Sequence, residues 1–335
     1  MLSPMLRAAL FVVLALVAVP AHAAETSSFA AALMRHLGLD PGKRMAELEK
    51  GAVVHNGVSD QEKLPTEVAA SGAMILVRGK PGEAVIAAFL HSETFLQVHQ
   101  VKRYRALQAD SGDGPAFADL PVPDPGQLPE IVKAPRKYLN LSVAEGDRLA
   151  KVSGAGAELD ARARAALAEI LGARLRAYAA QGLPGVEPYV RENGAVADPR
   201  TDLRAAIAAL AFTREAFPGF LDELTAPKTL RSYFWMERSI ESAKVLVLSA
   251  ELRRVAGTSA LGADVHFYAS REYDAMLTLV GVVPHEDGSL VFAVNHTFTD
   301  QVTGLGSSVR RSIARNMVAA SLAKQLEETR QRLSR

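Results

Sequence analysis

The C-terminal third of the chain restricts the fold more than any other part of it. Residues 232–238, 244–255, 264–283 and 289–298 repeat apolar side chains at period two, the repeat of a pleated strand with one covered face. Leu246, Leu248, Ala250 and Leu252 form one row against Ser249, Glu251 and Arg253. Leu290, Phe292, Val294 and Phe298 stand in the same way against Ser289, Asn295 and Thr297. His285-Glu286-Asp287-Gly288 reads as a hairpin turn, and strands joined by such short connections must be antiparallel. The period then changes. Val309, Ile313, Met317, Leu322 and Leu326 predict an apolar stripe on a helix over 307–333, and Gly304 and Gly306 permit a sharp reversal onto the sheet. The expected class is α+β, an antiparallel sheet gripping a long C-terminal helix, with a helical insertion.

The remainder divides by composition. Ser27-Ser28 can cap a helix carrying Phe29, Leu33 and Leu37, which Asp40-Pro41-Gly42 stops, and a second helix with Met45 and Leu48 ends at Gly51. Strands are predicted over 52–55 and 73–79, a helix over 84–92 and an exposed strand of ambiguous register over 97–107. These make up a segment 24–107. Residues 108–141 are dense in Pro, Gly and Asp and read as a long surface connection. Residues 142–228 turn to Ala, Arg, Leu and Glu with helical spacing at Leu159, Ala163, Leu167, Ile170 and Leu171, a helical subdomain. Residues 229–335 hold the strands and the last helix.

At the N-terminus, Arg7 precedes an unbroken apolar run over 8–19, then Pro20 and Ala21-His22-Ala23, with small residues where signal peptidase needs them. Residues 1–23 are therefore expected to be a signal peptide, placing the mature protein in the periplasm or outside the cell. The run is shorter than the roughly 20 residues that span a bilayer, and no transmembrane segment is expected after its removal.

An exported chain can carry disulfides, yet this one has no Cys, which excludes a disulfide scaffold, a thiol nucleophile and a Cys-based metal site. Lys+Arg 38 against Asp+Glu 37 gives no electrostatic footprint for nucleic acid. Gly257-Thr258-Ser259-Ala260-Leu261 fails the nucleophile elbow at its last position, and His285-Glu286 lacks the spaced His of a zinc-binding helix. Gly304-Leu305-Gly306 lacks the Lys and the third Gly of a phosphate loop. No cofactor, metal site or catalytic residue is assigned.

The densest polar and aromatic set is Tyr233, Trp235, Glu237, His266, Tyr268, Arg271, Tyr273 and Asp274. It reads as an aromatic-walled ligand pocket with a few orienting polar groups. The alternative is aromatic packing with ion pairs between Glu237 and Arg238 or Arg271. A third possibility brings His266 and His296 together across neighbouring strands, with Asp264 or Asp274 nearby, as a metal site or an acid/base pair, and an acid/base enzyme would use His266 or His296 with Asp274 or Glu237.

Two resemblances follow. The order of elements over 52–107 and 232–333 is similar to the START-like helix-grip domains, which implies an apolar cavity between sheet and last helix. Gly51-Ala52-Val53-Val54, Ser71-Gly72-Ala73-Met74-Ile75, Tyr233-Phe234-Trp235-Met236-Glu237, Tyr268-Ala269-Ser270 and Tyr273-Asp274-Ala275 resemble a family of uncharacterised exported bacterial proteins. Where that pattern has His after Tyr-Ala-Ser, this chain has Arg271. The expected function is an exported soluble protein binding a lipid or other hydrophobic small molecule. Its alternative is an envelope scaffold that docks a protein partner through its helical region.

Overall fold

The computed structural model describes residues 28–56, 67–90, 101–109, 115–117, 119–120, 125–227, 231–240, 243–286, 288–299 and 307–335. The expected signal peptide and the Gly304-Gly306 hinge lie outside them. The helices are α1 (28–36), α2 (Pro41–Glu49), α3 (Gly82–Phe89), α4 (Leu128–Lys133), α5 (Pro135–Tyr138), α6 (Val143–Ala150), α7 (Gly156–Gln181), α8 (Pro199–Ala209), α9 (Phe220–Thr225) and α10 (Ser307–Ser334). The strands are β1 (Val54–Asn56), β2 (Glu67–Arg78), β3 (Val101–Leu107), β4 (Tyr189–Val190), β5 (Val196–Ala197), β6 (Ser232–Ile240), β7 (Ala243–Ala256), β8 (Ser259–Ala269), β9 (Ala275–His285) and β10 (Gly288–Phe298). Among the described residues, no helix is long and apolar enough to cross a membrane.

Eight strands form one antiparallel sheet in the order β1-β2-β10-β9-β8-β7-β6-β3. The fold is thus α+β with a large antiparallel sheet and a C-terminal helix. Residues 264–283, expected as one strand, are instead parts of β8 and β9 with a turn over 270–274. That turn contains Glu272 at φ 72°, a conformation costly for a side chain, so its sequence has no glycine to announce it. It is fixed from outside: Asn140 Nδ2 donates to the carbonyls of Ala269 at 3.0 Å and Tyr273 at 2.9 Å.

Both faces of the sheet are covered. On one, Leu246, Leu248, Phe267, Leu277, Phe292 and Val294 share a single core with Phe29 and Leu33 of α1, Leu171, Leu175 and Tyr178 of α7, and Leu203 of α8. The helical stretch is therefore a layer on the sheet, continuous with its core. On the other face, Ala73, Ile75, Val77, Val280, Val282 and Val291 pack with Val85 and Phe89 of α3 and Leu322, Ala323 and Leu326 of α10. Burying these side chains supplies the main folding drive, roughly 1.5–3 kcal/mol for each large one.

Two expectations need correction. Met317 is 68% exposed, and the buried stripe of α10 runs through Ala319, Leu322, Ala323 and Leu326. In the stretch 108–141, Phe117, Leu120, Leu128 and Ile131 are buried, and prolines at the first turns of α4 and α5 start helices there. Proline density marked helix starts as well as loops.

Candidate functional site

The face that carries α3 and α10 has apolar clusters at both ends and a polar tract between them. Along β9 the inward side chains read Val282, Val280, Thr278, Met276, so the polar residue falls between the α10 cluster and a second cluster of Phe234, Met236, Val245, Val247, Ala269 and Met276. Strand pairing extends the tract sideways: Ser71 opposes Asn295, Asn295 opposes Thr278, Thr278 opposes Asp264, and Asp264 opposes Glu251. All of these side chains are buried. A register shift between Leu248 and Ser249 brings Ser249 opposite His266.

A connected set of hydrogen bonds runs through the tract. Ser249 Oγ donates to Asp264 Oδ1 at 2.6 Å, and His266 Nε2 lies 3.0 Å from Asp264 Oδ2. The other ring nitrogen, Nδ1, is 2.7 Å from the Tyr273 hydroxyl, which in turn accepts from Arg238 at 3.1 Å. One tautomer satisfies every bond: Nε2 carries the proton to the carboxylate and Nδ1 accepts from the phenol. Burial lowers the His266 pKa below its ordinary value, overriding Asp264, which would raise it, so the ring is neutral. Burial raises Tyr273, keeping the phenol protonated against Arg238. Neighbouring Asn295 Nδ2 donates to Thr278 Oγ1 at 2.8 Å, and Thr297 donates to Asn295 at 2.7 Å.

Glu251 extends the tract toward solvent through its ion pair with the half-exposed Arg253. Burial, reinforced by the Asp264 carboxylate, pushes its pKa up to about 7. A proton can therefore reside at this carboxyl near neutral pH, beside a carboxylate that holds a neutral imidazole.

The sheet divides the eight residues singled out from the sequence. His266 and Tyr273 lie in the tract. Tyr233, Trp235 and Tyr268 belong to the core under the helical layer: Trp235 donates to the Ala116 carbonyl at 3.2 Å, and Tyr268 packs edge-on against Tyr189 with Arg174 over its ring. Glu237 alternates with Trp235 and shares that face. Arg271 pairs with Glu272 at 3.3 Å, and Asp274 pairs with Arg191 at 2.5 Å. The set does not line one pocket, because alternation sends neighbours in β6 to opposite layers.

The expected acid/base pairs are corrected in the same way. Asp274 belongs to a structural clamp, Glu237 lies on the other face from His266, and His296 shares the helical-layer face with His36. The partner of His266 is Asp264, two residues away on the same strand. Sequence reasoning missed Ser249, Arg238, Glu251, Thr278 and Asn295 as members of the site. The available signal was the polar row Ser249, Glu251 and Arg253 on β7, of which Ser249 and Glu251 are buried.

The clamp beside the tract joins the layers. Arg191 bonds both Asp274 and the Asn140 side chain, and the Tyr189 hydroxyl donates to the Asp274 carbonyl at 3.2 Å. Arg174 meets Glu145 with two bonds, 2.7 and 2.6 Å, and is 3% exposed. Among the described residues, grooves open elsewhere. One of about 540 Å³ lies between the end of α10 and β2, lined by Arg78, Glu327 and Arg330, and another of about 480 Å³ is lined by Arg136, Lys137 and Arg191.

Comparison with protein-family models, curated proteins and solved structures finds no match for this chain.

Proposed function

We propose that the chain is an exported binding protein of the START-like helix-grip type, holding an amphipathic lipid or hydrophobic metabolite on the α3 and α10 face of its sheet. The observation that carries this reading is the buried polar tract Ser249, Asp264, His266, Tyr273 and Arg238, set between two apolar clusters on that face. Sites for such ligands are mostly apolar with a few convergent polar anchors. The strand order supports the same reading: the first long strand, β2, lies beside the last, β10, the intervening strands run back in sequence, and β3 closes the far edge. With the C-terminal helix packed on that sheet, we read the arrangement as a helix grip. The sequence pattern of residues 1–23 supports export.

The chemistry of the anchor narrows the ligand. Arg238 faces Tyr273, Asp264 is bonded by Ser249 and His266, and Glu251 is paired with Arg253. A neutral hydroxyl or carbonyl head group would add no uncompensated charge to this interior, whereas an ionised one would. The scaffold alternative is less well supported. Among the described residues of the helical layer, the large exposed apolar side chains are Val143 and Val196, which are isolated positions and no docking patch.

The test is native mass spectrometry with solvent extraction of the mature protein from its host's exported fraction. A hydrophobic molecule at near-unit stoichiometry, retained less by Tyr273→Phe, is expected. Empty protein that also fails to bind a fluorescent apolar probe would overturn the proposal.

A further inference from the structure

The groove of about 480 Å³ opens beside the layer clamp and apart from the polar tract. One wall is the short helix α5 with Arg136 and Lys137, and the other is the hairpin of β4 and β5 with Arg191, Glu192 and Asn193. Bonds within the chain hold the two walls together. Val190 N donates to the Leu141 carbonyl at 2.9 Å, and the Arg191 guanidinium bonds the Asn140 side chain. The hairpin is closed by Arg191 N on the Ala195 carbonyl at 2.8 Å, with Gly194 at φ 81°, where glycine is at ease. Arg136 is half-buried because its stem lies on α6, so close that a Cβ at Gly146 would stand 2.8 Å from its Cγ. Among the described residues, Arg136 and Lys137 form no ion pair, whereas Arg191 is engaged by Asp274 at 2.5 Å. The cations of the groove outnumber its carboxylates even after Asp274 is set against Arg191. Like charges fixed along one groove repel unless an anion lies between them. We propose that this groove binds a phosphate group that comes with an O–H donor, as in orthophosphate or a phosphorylated polyol.

The lining suits that chemistry in both donors and acceptor. Arg136 offers a planar fork that matches two phosphate oxygens, and Lys137 offers a point charge on an adaptable stem. Asn193 turns its Oδ1 to Ala195 N at 3.0 Å, which leaves its Nδ2 as a further donor at the hairpin. Glu192 lines the same groove and, as a carboxylate, can only accept. It therefore selects an anion that also brings a proton to share. Hydrogen phosphate does so through its own O–H, and a phosphorylated polyol does so through a hydroxyl of its carbon chain. Sulfate presents oxygens alone and meets Glu192 with repulsion. The volume lies within the range of small-molecule sites, about 300–1,000 Å³, and leaves room for an organic part beside the phosphate.

The experiment is isothermal titration calorimetry on the full mature chain at neutral pH in a phosphate-free buffer, with sodium glycerol 3-phosphate, sodium phosphate and sodium sulfate as probes. One equivalent of glycerol 3-phosphate is expected to bind, more weakly as salt is raised, and roughly tenfold more tightly than sulfate. Sodium phosphate that binds as well as the ester identifies the free anion as the ligand, and weaker binding identifies the polyol ester. Arg136→Gln and Lys137→Gln should each weaken the phosphate probes roughly tenfold. Glu192→Gln gains an amide donor and should bring sulfate up to the affinity of the phosphate probes. Neither heat nor a raised thermal midpoint with both phosphate probes, binding unchanged in both cation variants, or sulfate bound by the parent as tightly as phosphate would each overturn the proposal. Should Arg136→Gln fail to fold for want of its contact on Gly146, the exposed Lys137 decides the matter alone.

Discussion

His266 and Asp264 lie two residues apart on β8 and are bonded side chain to side chain at 3.0 Å, with both side chains fully buried. Residues i and i+2 of a strand share a face, so this pair costs the backbone no distortion. The expense is desolvation, offset only because Ser249 and Tyr273 satisfy the remaining carboxylate and ring atoms.

Removing the carboxylate should therefore cost far more than an ordinary polar substitution. Asp264→Ala strands the Ser249 hydroxyl and His266 Nε2 in the interior, and we expect it to lose about 3–5 kcal/mol. Tyr273→Phe leaves one ring nitrogen without its donor and should lose about 1–3 kcal/mol. Urea midpoints at constant slope measure both, and equal losses would contradict the chain of bonds.

Glu251 makes stability depend on pH in a stated direction. Its carboxyl rises from 4.5 to about 7 on folding, so within that window the folded chain holds a proton that the unfolded chain has released. Stability from this group is then complete below pH 4.5, falls as pH rises, and levels off above about 7, a loss of about 3 kcal/mol. Glu251→Gln cannot ionise. Urea unfolding of both proteins between pH 5 and 8 should show the parent losing ground to the variant as pH rises, and parallel curves would refute the shift.

Arg174 gives a test of the helical layer. Its planar fork meets Glu145 with two bonds while lying over Tyr189 and Tyr268, geometry that a lysine ammonium cannot reproduce. Arg174→Lys should recover little of the stability lost in Arg174→Ala, itself about 3–5 kcal/mol. Chemical denaturation separates this from a simple charge effect, in which lysine would restore most of it.

Gly281 is opposite Phe292 on β10, and an added Cβ would stand 2.2 Å from the ring and 2.9 Å from Leu261. Both neighbours are buried in the core. Gly281→Ala should cost about 1–3 kcal/mol by overpacking, and the double variant Gly281→Ala, Phe292→Leu should regain part of it in the same denaturation experiment.

Most of the sheet was legible because alternation is a local property. The rows on β7 and β10, the turn between His285 and Gly288 and the buried half of α10 all follow from side chains a few residues apart. The turn over 270–274 was not legible. Glu272 holds a positive φ there, and its support comes from Asn140 and Arg191, residues distant in the chain. The ligand set failed for a related reason: it grouped residues close in sequence, and the pleat sends Trp235 and Met236 to different layers.

The amino-acid sequence alone determined that this chain builds a cysteine-free α+β protein with antiparallel strands followed by a long helix, since period, turn chemistry and composition act locally. Tertiary structure decided that both sheet faces are covered, that Ser249, Asp264, His266, Tyr273 and Arg238 meet in one buried network, and that His36 reaches His296. Those meetings depend on strand register and on which layer covers each face. Register and layering are set by the summed burial of the whole core, which no short stretch of sequence contains.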